Sequence, residues 1–227
     1  AGITTAEIDQ WVYDYTTKHG GIPAPLGYEG FPKSVCTSIN EEVVHGIPSD
    51  RVILKDGDVL SVDCGLILDC WQSDSAFTVG VGNVSPEDQK LINVTEECFF
   101  KGVRKALNGN HLGDIGHAVQ TYAEGFGYGV IRDLTGHGIG RNMHEEPSVP
   151  NFGREGHGVK LRPGMTLAIE PMIAKGDYHV AELEDGWTVV TEDSSVCSHY
   201  EHTIVINENG LPELLSYPGF ALTEEEE

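Results

Sequence analysis

Leu54 to Asp63 reads LKDGDVLSVD, and Leu161 to Glu170 reads LRPGMTLAIE. Leu, Gly and Leu are identical between the two, and Lys/Arg, Ser/Ala, Val/Ile and Asp/Glu are exchanged conservatively. The offset, 54 against 161, is 107 residues, and the same offset relates Gly2 to Ile8 (GITTAEI) to Gly109 to Ile115 (GNHLGDI). That second pair keeps its Gly, its acidic residue and its Ile. Two separate matches at one spacing mark an internal duplication, so each half is expected to repeat one supersecondary unit.

Outward from the repeat, each half reads as a Gly turn, a helix, a Gly/Pro-rich stretch, and a turn entering a strand. Ile8, Val12 and Tyr15 recur at helical spacing behind Thr4 or Thr5 as cap, which predicts a helix over Thr5 to Lys18. Ile115, Val119 and Tyr122 predict its counterpart over Leu112 to Phe126. Ser85-Pro86-Glu87-Asp88 supplies a cap, a first-turn proline and acids at the positive end of the helix dipole, and opens a third helix running to Leu107. After Gly57 and Gly164 the residues alternate as in a sheet with one covered face. The expectation is an α+β fold with pseudo-twofold halves, about 1–84 and 108–222, joined by a helix at about 85–107 into one domain over 1–227. The acidic run Thr223 to Glu227 is read as a frayed tail.

With 14 basic residues against 36 acidic ones, a formal net charge of -22, no broad phosphate-neutralising surface can form, and nucleic acid is excluded as a main partner. Part of the acidity is expected to serve divalent cations. The cysteines, Cys36, Cys64, Cys70, Cys98 and Cys197, are odd in number and contain no CxxC pair, which reads as reduced thiols in the cytoplasm. No apolar run nears the roughly 20 residues of a membrane span, and no export signal is expected.

Asp63 and Glu170 fall at matched positions, at the ends of two apolar strands, where a carboxylate is costly without a partner. Asp74 follows Asp63 across Gly65 to Trp71, as a hairpin returning to one site requires. Glu201 stands to Glu170 roughly as Asp74 stands to Asp63, and His137 in GHGIG completes a set of two Asp, two Glu and one His. This set is richer in oxygen than a structural zinc site, and its carboxylates would repel one another without cations. Two divalent ions relieve the repulsion and can activate a water. Mn, Fe or Co suit the mixed O/N donors, and Zn remains open.

The chain resembles the methionine aminopeptidases of type I through VVHGIP (Val43 to Pro48), GHGIGRNMHEEP (Gly136 to Pro147), IEPM (Ile169 to Met172), DGWT (Asp185 to Thr188) and YEHTI (Tyr200 to Ile204). The resemblance implies the duplicated pita-bread fold, a curved antiparallel sheet covered by helices, and hydrolysis of the N-terminal methionine from nascent polypeptides. It implies Asp63, Asp74, His137, Glu170 and Glu201 as ligands, with Asp74 and Glu201 bridging, His137 and Glu170 on one metal and Asp63 on the other. Glu170 would accept the water proton, His144 would stabilise the oxyanion, and His45 would bind the scissile amide or assist departure. The methionine pocket would be formed by Tyr28, Phe31, Cys36, Met143 and Trp187, whose aromatic and sulfur contacts suit a thioether.

Met143 stands where the type I pattern usually has Phe, Phe31 where it often has Tyr, and Pro25 where some relatives carry Cys, which alters the pocket rather than the chemistry. Relatives usually carry several dozen residues ahead of the segment like Gly2 to Cys36, so an N-terminal helical piece is expected to be absent or trimmed. The ribosome is a candidate partner and a monomer the expected state. The competing readings are another pita-bread peptidase, an Xaa-Pro aminopeptidase or dipeptidase, and a non-catalytic binding homologue. Relatives of the first kind carry a large N-terminal domain, and those of the second lose ligands.

Overall fold

The computed structural model describes residues 1–223, so residues 224–227 of the expected acidic tail lie outside the described part. Three α-helices, α1 (Thr5–Lys18), α2 (Pro86–Val103) and α3 (Leu112–Gly125), cover an antiparallel sheet. None of the described helices is long and apolar enough to cross a membrane.

The duplication is written into the backbone hydrogen bonds. Thr4 caps α1, donating from its backbone N to Glu7 Oε2 at 2.7 Å, and His111 caps α3, donating likewise to Asp114 Oδ2 at 2.6 Å. Gly2 N donates to Leu54 O at 2.7 Å and Gly109 N to Leu161 O at 3.1 Å. Leu54 N returns to Ile3 O at 2.9 Å and Leu161 N to Asn110 O at 2.7 Å, while Thr5 N to Val52 O and Leu112 N to Val159 O are both 3.0 Å. Every one of these pairs is related by the offset read from the sequence.

The strands Val59–Leu68 and Thr166–Ile169 begin at equivalent residues. Val59–Leu68 turns tightly at Asp69 and Cys70, both with left-handed φ, and pairs with Trp71–Gly80. Thr166–Ile169 pairs instead with Glu201–Val205, after a longer excursion through Met172–Ala174, Val180–Glu182, Val189–Thr191 and Cys197–His199. Val59 opposes Gly80 just as Thr166 opposes Val205, so beyond the excursion the equivalence becomes 80 to 205, an offset of 125. The two inner strands pair with each other, and there Glu201 faces Ala76. These two residues are equivalents, so the pseudo-twofold axis passes through their pair.

Alternation along the strands separates core from site. Leu60 and Val62 join the cluster of Val35, Leu54 and Val81 against Ile8 and Val12 of α1, while Leu167 and Ile169 join Phe99, Phe100 and Val103 of α2. Ser61 and Asp63, and Ala168 and Glu170, therefore point to the opposite face. Helices α2 and α3 cross closely at Gly102, where a Cβ would lie 2.8 Å from a Val119 methyl.

Several expectations are corrected. Helix α2 ends at Val103 rather than Leu107, with Arg104 as its C-terminal cap, and α3 ends at Gly125 with Phe126 as cap. Asp63 sits inside its strand, not at the end, because the hairpin carries pairing on to Leu68 and Trp71. The equivalent of Glu201 is Ala76, not Asp74, and the equivalent of Asp74 is His199. The inner strands thus bring their acids to the axis from positions two residues apart.

Candidate metal centre

His137 lies between two glycines that its strand requires. A Cβ on Gly136 would meet Ala168 O at 2.4 Å, and one on Gly138 would meet Glu146 O at 2.3 Å, so a side chain at either would displace backbone. The His137 Nδ1 lies 2.8 Å from Gly138 O. A carbonyl only accepts, so Nδ1 carries the proton and Nε2 is left with a bare lone pair. That Nε2 is 3.6 Å from Glu170 Oε1. Ligand atoms of Asp74, His137 and Glu201 lie within 4.8 Å of one another. Asp63 and Asp74 are close enough to share a proton between their carboxyls. The backbone of Glu170 is held by Asn151 Nδ2, which donates to its carbonyl at 2.8 Å.

The four carboxylates are costly in this state. Burial, then the neighbouring acids, pushes Asp74, Glu170 and Glu201 well above the ordinary carboxylate range, and burial lifts Asp63 to about 6. Among the described residues, the groups within ion-pair reach of Glu170 and Glu201 are imidazoles, His137 and His199, with no Lys or Arg. Glu201 Oε1 is buried without a hydrogen-bond partner. Convergent buried oxygens, one bare imidazole nitrogen and no protein cation fit divalent ions as the missing positive charge.

Beside these acids opens a cavity of about 390 Å³ lined by Tyr28, Phe31, Cys36, His45, Met143, His144 and Trp187, together with Pro25, Glu29, Asp63 and Asp74. All seven residues expected to bind substrate therefore share one cavity with two of the acids, and ligand atoms of His137 and Glu201 lie within 4.8 Å of that of Asp74. The rings of Phe31 and Trp187 meet edge to face with centroids 5.1 Å apart.

His45 adopts a left-handed φ of 61°, and the following Gly46 admits no side chain because a Cβ would lie 2.2 Å from Thr37 O. Burial, then His144, lowers the pKa of His45, and burial lowers that of His144, so both rings are neutral at pH 7. The Tyr28 hydroxyl lies 2.7 Å from His144 Nδ1. Burial raises the Tyr28 pKa, so the phenol keeps its proton and the direction of the bond follows the His144 tautomer. In the tautomer that accepts at Nδ1, the His144 proton sits on Nε2. His144 packs on His137 with ring centroids 4.3 Å apart.

Sequence reasoning missed His199 and Glu29. His199 is almost wholly buried, with Nε2 at 3.7 Å from Glu170 Oε2 and 4.0 Å from Glu201 Oε2. Its signal was the repeat itself, hidden because the second-half excursion changes the offset before His199 is reached.

Residues 1–208 match the sequence profile of metallopeptidase family M24. A methionine aminopeptidase of Clostridium acetobutylicum is 56% identical over 215 residues, 95% of this chain and 86% of that protein. The chain belongs to family M24. Within the family it groups with the methionine aminopeptidases. The crystal structure of methionine aminopeptidase from Rickettsia prowazekii superposes with a TM-score of 0.92 at 46% identity, covering 94% of this chain and 86% of that one. An Xaa-Pro dipeptidase from Bacillus anthracis reaches a TM-score of 0.72 at 20% identity but is matched over only 55% of its length, so it shares the fold alone. As an M24 metallopeptidase the chain uses divalent metal, with the pita-bread arrangement of antiparallel sheet and helices.

Proposed function

We propose that this methionine aminopeptidase removes N-terminal methionine from polypeptides at a centre of two divalent ions held by Asp63, Asp74, His137, Glu170 and Glu201. The observation that carries this reading is the convergence of four carboxylates, Asp74 and Glu201 buried and Asp63 and Glu170 half-buried, with the bare His137 Nε2 and without Lys or Arg, beside an apolar cavity. Co, Mn, Fe and Zn all suit such donors. When bound, the ions supply Lewis acidity and lower the pKa of water.

Phe31, Trp187, Tyr28, Met143 and Cys36 bind the methionine side chain, for which an apolar wall with polarisable sulfur and ring edges is well matched. With Tyr28 donating to its Nδ1, His144 carries its proton on Nε2 and donates it to the oxygen that becomes negative as the carbonyl is attacked. His45 contacts the scissile amide. Glu170 takes the proton of the attacking water and returns it to the departing amine.

The chain is read as one catalytic domain, with halves at about 1–84 and 108–222 and α2 between them; the recurrence of hydrogen bonds at one offset supports this division. Five free cysteines suit a reducing compartment such as the cytoplasm.

Hydrolysis of Met-Ala-Ser and of an Ala-Pro peptide, after chelation and after return of defined metals, tests the proposal. Metal-restored release of Met from the first peptide alone is expected. Cleavage of the Ala-Pro peptide in preference, or full activity in metal-free protein, would overturn it.

A further inference from the structure

The pseudo-twofold axis pairs the residues of the centre. Asp63 corresponds to Glu170, and Ser38 to His137, since Ser38 opposes Ser61 as His137 opposes Ala168. Ala76 corresponds to Glu201. The remaining pair is Asp74 and His199, and its equivalence is visible in detail. Asp74 N donates to Thr203 Oγ1 at 2.9 Å and that hydroxyl donates to Asp74 O at 3.0 Å. His199 N donates to Thr78 Oγ1 at 2.9 Å and that hydroxyl donates to His199 O at 2.8 Å. Both strands are thus clamped by the same threonine latch, with the partners exchanged between halves. His199 is therefore held on the axis as firmly as a proposed ligand is, yet it has no role in the set carried by the resemblance.

We infer that His199 is a positioning residue of the centre, whose Nε2–H holds the rear oxygen of Glu170, Oε2, so that Oε1 stays turned toward His137. This rests on the metal-centre reading above. Neither ring nitrogen of His199 has a hydrogen-bond partner among the described residues. An imidazole buried in this way needs an acceptor for its one N–H. Nε2 has two carboxylate oxygens within 4.0 Å, so the proton belongs on Nε2. The tautomers of the two axis histidines are thereby opposite. His137 gives its proton to a backbone carbonyl through Nδ1 and offers Nε2 as a ligand, whereas His199 spends Nε2 as a donor and cannot also ligate through it.

Glu170 Oε2 is the nearer acceptor, at 3.7 Å against 4.0 Å for Glu201, and its other oxygen already faces His137. A rotation of the carboxylate of less than about 1 Å closes the gap to the roughly 2.9 Å of an N–H···O bond. Fixing Glu170 in this way also holds the group that moves the proton.

The test compares His199→Gln, His199→Leu and His199→Asn in the full chain, by calorimetric titration of the metal-free protein with Mn(II) and by the visible absorption spectrum of the Co(II)-loaded protein. Gln can place an N–H near the Nε2 position, so it should bind metal within about threefold of the parent and keep the Co(II) spectrum. Leu fills the space without a donor and should bind about 10- to 100-fold more weakly. Asn carries its amide too short to reach and should resemble Leu, which keeps the test decisive if the Leu variant does not fold. Parent-like affinity in Leu and Asn would overturn the inference while leaving the centre intact. Loss of one bound ion in Gln as well as in Leu would overturn it by making His199 a ligand. A parent protein that binds neither Mn(II) nor Co(II) would sink the metal-centre reading itself.

Discussion

The hydroxyl of Tyr28 reaches Nδ1 of His144 at 2.7 Å across 116 residues of sequence, tying the short 3-10 turn Tyr28–Gly30 to the loop ahead of Glu145. The bond fixes the orientation of the His144 ring. Tyr28→Phe keeps the ring in the cavity and removes only the hydroxyl, so kcat/KM should fall by about 3- to 10-fold, the worth of one neutral hydrogen bond. Metal content, measured by atomic absorption, should not change. An unaltered kcat/KM would show that something else orients His144.

Metal removal should change how stability depends on pH. In the metal-free protein Asp63 titrates at about 6, above its ordinary 3.8, and Asp74, Glu170 and Glu201 are pushed up further, by burial first. At these carboxylates the folded chain binds more protons than the unfolded one. The resulting stability is complete below the unfolded values and is lost as pH rises through about 6 and beyond. The buried imidazoles act in the opposite sense over part of the same range: burial lowers His137 and His202 to about 4 and His199 to about 3, and lowers His45 and His144 as well, so their contribution is lost as pH falls from about 6.5. Groups held low, such as Glu7 by the backbone N–H of Thr4 and Asp193 by that of Asp177, add to that loss only below about pH 4. Above about pH 7 the imidazoles are neutral in both states and the carboxylate loss stands alone, so scanning calorimetry of metal-free protein should give a Tm that falls between about pH 7 and pH 8. Added Mn(II) should remove the fall, and a metal-free Tm that climbs over that range would contradict the carboxylate assignment.

How far the sequence carries depends on whether the deciding contact is local. The starts of α1 and α3 are held by Thr4 with Glu7 and His111 with Asp114, three residues apart; both starts were legible, the first from its threonine cap and the spacing of Ile8, Val12 and Tyr15, the second from the spacing of Ile115, Val119 and Tyr122. The acids Asp63 and Glu170 were legible because identical turns precede them. His199 was not, because the tight turn at Asp69 and Cys70 in one half is replaced by a four-strand excursion in the other, and simple offset counting then fails. The same slip paired Asp74 with Glu201, where strand register pairs Ala76 with Glu201. The bond from Tyr28 to His144 depends on where two distant loops come to rest, and no spacing encodes it.

Gly46 tests the backbone that presents His45. The space for its Cβ is already occupied by Thr37 O at 2.2 Å, and Thr37 N donates to Gly46 O at 2.9 Å, so neither strand can yield without breaking that bond. Gly46→Ala should destabilise the protein by about 1–3 kcal/mol, as overpacking against backbone does. Urea unfolding monitored by fluorescence would measure it, and a variant as stable as the parent would mean that this segment is looser than its hydrogen bonds indicate.

The roles assigned to Glu170, His144 and His137 separate when kinetics and metal analysis are read together. Glu170→Gln keeps an oxygen donor but loses the basic charge, so kcat should fall by at least about 10²-fold while substrate binding changes less. His144→Ala removes the Nε2–H donor and should also lower kcat, by about 10²-fold or more if it stabilises the oxyanion. It should retain both ions, because its ring packs on His137 without joining the oxygens and nitrogen that converge beside the cavity. His137→Ala removes the one bare imidazole nitrogen of that set, so it should lose activity by releasing metal, and excess Mn(II) should restore activity in part. A Glu170→Gln enzyme with near-normal turnover would remove Glu170 from proton transfer. A His144→Ala enzyme emptied of metal would make His144 a ligand, and a His137→Ala enzyme with full metal content would take His137 out of the centre.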